Sequence, residues 1–249
     1  MINRAAQNSA ETQAWELLNL ITLRVVSAHL PGLRSVMAIG SLPGGYFRPG
    51  QSDLDMVVLF NEIPADSQSE LMLREKLLEL SSQNLPITGF DLECLPRYVS
   101  DLGRNPVDNL LYYPDLVARL KLQGHQLYGN YPLDTLEMPS RADWKKELGQ
   151  FLIHWGQKPP ETAQSIQGTV KYTLTLMRFY LAIERHAVQY NKFKLVDAYD
   201  ANKPVIKLPV LIKAFIRASL MGWEISPSAL ERAQTELPGF QFELLKALT

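Results

Sequence analysis

Two aspartates, Asp53 and Asp55, stand where a polar segment enters a run of apolar residues. The run Leu54–Phe60 is rich in valine and leucine and predicts a buried β-strand. Because alternate side chains of a strand point to the same face, the two carboxylates should converge, with their Cα atoms about 7 Å apart. Carboxylates on an apolar strand are costly to desolvate without a cation. The pair therefore suits a hard ion such as Mg²⁺, with water and substrate phosphates as its remaining ligands.

A glycine-rich segment precedes the aspartate pair. Gly40-Ser41 directly follows Ser35–Ile39, an apolar stretch that predicts another short strand. The nearby Gly44 and Gly45 allow backbone N–H groups to approach an anion closely, and Ser41 adds a hydroxyl donor. No lysine follows these glycines, which excludes a Walker phosphate loop. A phosphate chain could therefore lie between this loop and a metal ion held by the aspartates.

The whole segment resembles the signature of the DNA polymerase beta-like nucleotidyltransferase superfamily. The matching residues are Gly40-Ser41, Gly44 and Ser52-Asp53-Leu54-Asp55. Members of this superfamily carry Gly-Ser, a variable loop, Asp-x-Asp on the following strand and a third acid on a later strand. The resemblance implies that Ser41 contacts the terminal phosphates of the nucleotide, while Asp53 and Asp55 hold two Mg²⁺ ions. The nucleotide-binding residues that it implies in this segment are Gly40, Ser41, Gly44 and Ser52. Pro43 departs from the pattern and could alter the conformation of the loop.

The third acid is expected on Phe90–Leu95, which predicts a strand that ends at Pro96. Asp91 and Glu93 share one face of this strand, so periodicity cannot separate them. Asp91 follows Gly89-Phe90, which resembles the glycine–apolar–acid run of the family, and it is our first choice for a catalytic carboxylate that also binds metal. Glu93 stays open as an alternative catalytic acid.

The predicted elements divide the chain into two domains. Residues 130–141 contain two prolines, show no clear periodicity and predict a linker. We expect an α/β nucleotidyltransferase domain at residues 1–135, with a short mixed sheet and flanking helices, followed by an all-α helical domain at residues 136–249. In the first domain we predict one helix that begins at Asn8 or Ser9, a second over Ser67–Leu80 and a third over Val107–Leu120.

The second half is similar in layout to bacterial aminoglycoside adenylyltransferases, in which a helical domain follows the nucleotidyltransferase domain. Ile166–Tyr190 predicts a long helix. Lys171 and Arg178 fall on one face of this helix, and we expect them to bind phosphate groups of the nucleotide. The residues predicted to form the core stripe beside them are Leu174, Met177 and Leu181.

Composition and charge limit the binding partners and the cellular compartment that we expect. The formal net charge of −1 provides no electrostatic argument for nucleic acid, so a nucleic-acid partner is not expected, although a local basic patch is not excluded. The single cysteine, Cys94, rules out an internal disulfide and a cysteine-rich zinc site, which suits a reducing compartment. Neither a secretory signal nor an apolar run of about 18 residues occurs, so we expect a cytoplasmic protein without a membrane span.

These observations predict a Mg²⁺-dependent nucleotidyltransferase that moves a nucleoside monophosphate from a nucleoside triphosphate to a hydroxyl group and releases pyrophosphate. We expect ATP as the donor and a small molecule, such as an aminoglycoside-like antibiotic, as the acceptor. The reason is that the two-domain layout matches that of bacterial aminoglycoside adenylyltransferases. A protein or tRNA acceptor, as for nucleotidyltransferase toxins, is the second interpretation. The third is a non-catalytic nucleotide-binding sensor, against which the retained acids argue.

Overall fold

The computed structural model of the chain describes residues 4–83, 87, 90–103, 113–157 and 166–248. The chain divides into two compact units, Met1–Met138 and Pro139–Thr249. The strands of the described part are β1 (Leu33–Ile39), β2 (Leu54–Phe60), β3 (Leu92–Tyr98) and β4 (His125–Gly129). Its α-helices are α1 (Arg4–Ser27), α2 (Ser67–Ser82), α3 (Pro114–Gln123), α4 (Arg141–Gln157), α5 (Ile166–Arg185), α6 (Lys192–Ala201), α7 (Val210–Met221) and α8 (Pro227–Leu248).

The four strands form one mixed sheet in the order β3-β2-β1-β4. β1 is antiparallel to β2 and to β4, whereas β2 and β3 are parallel. The carboxyl end of β1 therefore lies beside the amino ends of the other three strands. At this end of the sheet, Ile39 is paired with Asp55, Asp55 with Glu93, and Ala38 with His125. We call it the acidic end of the sheet.

Both faces of the sheet are covered, which explains why β2 is apolar almost throughout. On one face α1 and α2 pack against the even-numbered residues of β2, from Leu54 to Phe60. On the other face Val57 and Leu59 pack with residues of α3 and of the turns around it. A strand that is buried on both faces reads as a continuous hydrophobic run rather than as an alternation. The sheet and its helices are the short mixed sheet with flanking helices that the sequence predicts, and helices follow it in the second unit, so the predicted fold class is confirmed.

Several predicted boundaries are wrong for identifiable reasons. β3 does not end at Pro96 but continues to Tyr98. β3 is an edge strand, and Leu54 N donates to the Asp91 carbonyl, so in the parallel ladder the odd-numbered residues of β3 bond to β2. The N–H that Pro96 lacks therefore costs no ladder hydrogen bond. α1 begins at Arg4 rather than at Asn8 or Ser9. α3 begins at Pro114, a favourable first helical residue, and residues 107–112 of the predicted helix lie outside the described part.

The second unit is built around α5. Its predicted core stripe, Leu174, Met177 and Leu181, is at most 7% exposed and is confirmed as core. Aromatic side chains connect α5 to its neighbours, with Phe179 against Trp144 of α4 and Tyr180 against Tyr199 of α6. α5 ends at Arg185 instead of Tyr190 because His186 has a positive φ of 50°.

None of the described helices combines the length and the apolar character needed to cross a lipid bilayer.

Candidate active site

The acidic end of the sheet brings together carboxylates from two strands. Asp55 and Glu93 are direct partners in the parallel ladder of β2 and β3, so their side chains share one face, with Cα atoms about 4.8 Å apart. Asp55 is half-buried, whereas Asp53 and Glu93 are exposed. Asp91 is also exposed and precedes β3, and its backbone carbonyl accepts a hydrogen bond of 2.8 Å from Leu54 N. The structure thus places all four predicted acids at one end of the sheet.

Gly40 lies directly against the carboxylate of Asp55. A Cβ atom at position 40 would be 2.5 Å from Oδ2 of Asp55 and 3.5 Å from its Cγ, so no larger residue fits without moving the acid. The φ of Gly40 is +86°, a left-handed conformation that glycine adopts without strain. Gly40 is therefore constrained both by its conformation and by its contact with Asp55.

The loop after Gly40 is a tight turn closed by its own backbone. Gly44 N donates to the Gly40 carbonyl at 3.1 Å, Gly45 N donates to the Leu42 carbonyl at 3.2 Å, and Tyr46 N donates to the Ser41 carbonyl at 3.0 Å. These three N–H groups already have acceptors. Gly44 therefore shapes the loop, and the sequence-based expectation of phosphate binding in this segment rests chiefly on Ser41.

Ser41 carries a buried hydroxyl that can donate a hydrogen bond to an anion. The residue is 9% exposed, and its hydroxyl has no hydrogen-bond partner among the described residues. An unpaired buried hydroxyl costs about 1–3 kcal/mol, so such groups in native proteins call for a ligand or another explanation. Ser52 differs, because its buried hydroxyl accepts a hydrogen bond of 3.0 Å from Arg48 N and holds the end of the loop. Nucleotide binding by Ser52 stays a prediction.

The donor chemistry at the acidic end fits Mg²⁺, although the structure does not assemble a closed metal cage. Among the described residues no group of three or more histidine, cysteine, aspartate or glutamate side chains could hold a metal ion. Mg²⁺ is usually bound by one or two carboxylates together with water and substrate phosphates, so Asp53 and Asp55 suffice as protein ligands. The predicted roles of Asp53, Asp55 and Asp91 as metal ligands stay predictions.

Lys171 and Arg178, the predicted phosphate ligands of the second half, lie on α5 in the second unit. Lys171 is exposed. Arg178 is half-buried, and its guanidinium lies over the ring of Tyr190, 5.2 Å from the ring centroid. Binding of a nucleotide by either residue stays a prediction.

Sequence reasoning missed two residues that shape the loop, Tyr46 and Gln123. The hydroxyl of Tyr46 lies 3.1 Å from Nε2 of Gln123, which is the last residue of α3. No local pattern connects positions 77 residues apart. Arg48 was also missed. It brings a positive charge into the segment between the glycines and the aspartates, and burial lowers the pKa of its guanidinium without removing that charge at neutral pH.

Comparison with known proteins finds similarity at the level of structure. No protein-family profile matches the sequence, and no curated protein matches it. Spectinomycin adenyltransferase AAD(9) from Enterococcus faecialis, solved with ATP and spectinomycin, is similar with a TM-score of 0.59 and 18% identity, over 92% of this chain and 98% of that chain. A toxin-antitoxin structure with AMP-PNP matches with a TM-score of 0.27 and 17% identity, over 65% of this chain and 98% of that chain. The first similarity confirms, for the fold, the predicted resemblance to adenylyltransferases, and the second is too weak to inform the fold.

The contact between Gly40 and Asp55 predicts an asymmetry between two glycines of the loop. Gly40→Ala and Gly45→Ala each place a side chain at positive φ, which costs about 1–2 kcal/mol. Only Gly40→Ala also collides with a neighbour, because nothing lies within 4 Å of a Cβ at position 45. We expect the larger loss of unfolding free energy for Gly40→Ala, measured by urea denaturation. Equal losses in the two variants would contradict the close approach to Asp55.

Proposed function

We propose that this protein is a Mg²⁺-dependent nucleotidyltransferase that transfers a nucleoside monophosphate from ATP to a hydroxyl group of a small molecule and releases pyrophosphate. The observation that carries the proposal is the buried hydroxyl of Ser41, which has no hydrogen-bond partner among the described residues and follows Gly40, the residue in contact with the Asp55 carboxylate. A hydroxyl donor that directly follows, in the sequence, a glycine packed against a carboxylate suits a metal-bound phosphate chain. The fold shared with an adenyltransferase that was solved with ATP supports this chemistry.

The first unit supplies the groups that bind the triphosphate. The Ser41 hydroxyl donates to an oxygen of the terminal phosphates, and the turn from Gly40 to Tyr46 holds that hydroxyl in place. Asp53 and Asp55 hold Mg²⁺, which when bound neutralises phosphate charge and lowers the pKa of the acceptor hydroxyl.

We assign the third carboxylate to Glu93 in preference to Asp91, the first choice from the sequence. The ladder register supports this assignment, because Glu93 is the direct partner of Asp55 on the same face. Asp91 lies before the strand, where its backbone carbonyl accepts a hydrogen bond from Leu54 N at the start of β2. Glu93 is exposed and so can reach a bound acceptor, from whose hydroxyl it takes the proton.

The acceptor in this proposal is a small hydroxylated molecule of the aminoglycoside-like class. The similar structure that covers most of this chain is an adenyltransferase solved with spectinomycin, an antibiotic. The net charge of −1 supports a small acceptor over tRNA, whose phosphates favour a basic partner. The proposed compartment is the cytoplasm, because a chain with one cysteine forms no internal disulfide and suits a reducing environment.

A transfer panel tests the proposed function. The purified protein is incubated with Mg²⁺, one of the four α-labelled ribonucleoside triphosphates, and an aminoglycoside, spectinomycin, tRNA or cell protein. We expect label from ATP on a small molecule, with a mass increase of one nucleoside monophosphate. Label on tRNA or protein would overturn the acceptor class, and nucleotide binding without any transfer would favour the sensor interpretation.

The assignment of Glu93 predicts opposite outcomes for two conservative variants. Glu93→Gln removes the proton acceptor, so kcat should fall steeply, by about 10²-fold or more. Asp91→Asn keeps the backbone carbonyl that Leu54 uses, so kcat should stay close to that of the unmodified protein. Both are measured at saturating ATP and Mg²⁺. Loss of kcat in Asp91→Asn with kcat retained in Glu93→Gln would return the role to Asp91.

A further inference from the structure

We infer that Gln123 is a positioning residue that holds the nucleotide-binding loop through Tyr46, an inference that rests on the proposed function. Gln123 lies 77 positions from Tyr46 in the sequence, and the two meet because α3 ends at the acidic end of the sheet, directly before β4. Neither residue carries a charge or takes part in the chemistry proposed above.

Tyr46 connects Ser41 to α3 by two hydrogen bonds. Its backbone N donates to the Ser41 carbonyl at 3.0 Å. Its hydroxyl lies 3.1 Å from Nε2 and 3.3 Å from Oε1 of Gln123, so it can accept from the amide nitrogen or donate to the amide oxygen. A short path of hydrogen-bonded groups therefore leads from the helix to Ser41, whose hydroxyl has no partner in the described part of the chain.

Gly44 shows how closely these groups are packed. A Cβ atom at position 44 would lie 2.4 Å from Cε1 of Tyr46 and 2.9 Å from Nε2 of Gln123. It would also lie 2.8 Å from the Gly40 carbonyl oxygen. The ring of Tyr46 and the amide of Gln123 thus cover Gly44, and any side chain there would separate them from the loop. We call Gly44, Tyr46 and Gln123 the loop clamp.

The clamp is anchored on a rigid part of the first unit. Val117 and Leu120, on the same helix as Gln123, are at most 1% exposed and belong to the core beneath the sheet. The next residue, Gly124, donates its N–H to the Leu120 carbonyl at 2.9 Å, which ends the helix at a fixed position. The end of α3 therefore offers the loop a support that does not depend on the loop itself.

The consequence is preorganisation of the phosphate site. Ordering a loop costs conformational entropy, and a site that is already ordered does not spend binding free energy on it. If only a fraction of molecules holds the loop in the competent conformation, the apparent affinity falls by that fraction. Loss of the clamp should therefore weaken binding of ATP and raise its KM, while kcat at saturating ATP stays unchanged.

A double-mutant cycle tests the inference by titration calorimetry of ATP with Mg²⁺. Tyr46→Phe and Gln123→Met each remove the same hydrogen bond while keeping the size of the side chain. Each should weaken ATP binding about fivefold, and the double variant should be no weaker than either single one. Gln126→Met is the matched control, because it removes a comparable bond, from Nε2 to Ser35 Oγ at 3.2 Å, away from the loop. It should leave ATP affinity unchanged.

The outcomes separate this inference from the proposed function. Unchanged ATP affinity in Tyr46→Phe and Gln123→Met, with binding intact in the unmodified protein, would overturn the inference alone. If the double variant loses ATP affinity by the product of the two single losses, the inference is also overturned, because the residues then act independently. If the unmodified protein binds no ATP, the proposed function fails. The clamp is then judged by hydrogen exchange of the loop amides Gly44, Gly45 and Tyr46, which Gln123→Met should accelerate and Gln126→Met should not.

Discussion

The direction of the four strands is the constraint on which the site depends. Because β1 runs antiparallel to β2 and β4, and β2 runs parallel to β3, one end of the sheet collects the carboxyl end of β1 and three amino ends. The loop that begins at Gly40, the acids Asp55 and Glu93, and Gln123 at the end of α3 all meet there although they are far apart in sequence. Each group is held by an element that is buried elsewhere along its length. The topology of the sheet therefore brings these groups together, and their side chains then determine the chemistry of the site.

Local structure at this end of the sheet includes a buried polar group that does not favour stability. Gly40 is held in a left-handed conformation against a carboxylate, and beside it the hydroxyl of Ser41 is buried without a partner among the described residues. A buried hydroxyl without a partner lowers the stability of a fold and persists where the surrounding structure supports it. Here the support comes from the hydrogen bonds of the turn and from Tyr46, which Gln123 contacts.

What the sequence predicts well is local. The bounds of β2 are those predicted, because a strand buried on both faces leaves a continuous apolar run. Asp53 lies directly before this strand, and the convergence of its carboxylate with that of Asp55 stays a prediction. Alternation alone does not separate Asp91 from Glu93 as the third acid, because both obey it. The register adds that Glu93 pairs with Asp55, which depends on how β3 aligns with β2. The extension of β3 past Pro96 depends on its position at the edge of the sheet. The contact of Tyr46 with Gln123 depends on tertiary structure alone.

The central claim is that Ser41 and Asp55 together bind the metal-complexed phosphates of ATP. Its most direct test is titration calorimetry of ATP, with Mg²⁺ and with EDTA, into the unmodified protein, Ser41→Ala and Asp55→Asn. Ser35→Ala is the control, because Ser35 is a fully buried serine of β1 whose hydroxyl donates to the Tyr128 carbonyl instead. We expect Mg²⁺-dependent binding that Asp55→Asn abolishes, that Ser41→Ala weakens by about 1 kcal/mol or more, and that Ser35→Ala retains. Equal affinity in EDTA, or unchanged binding in both site variants, would contradict it.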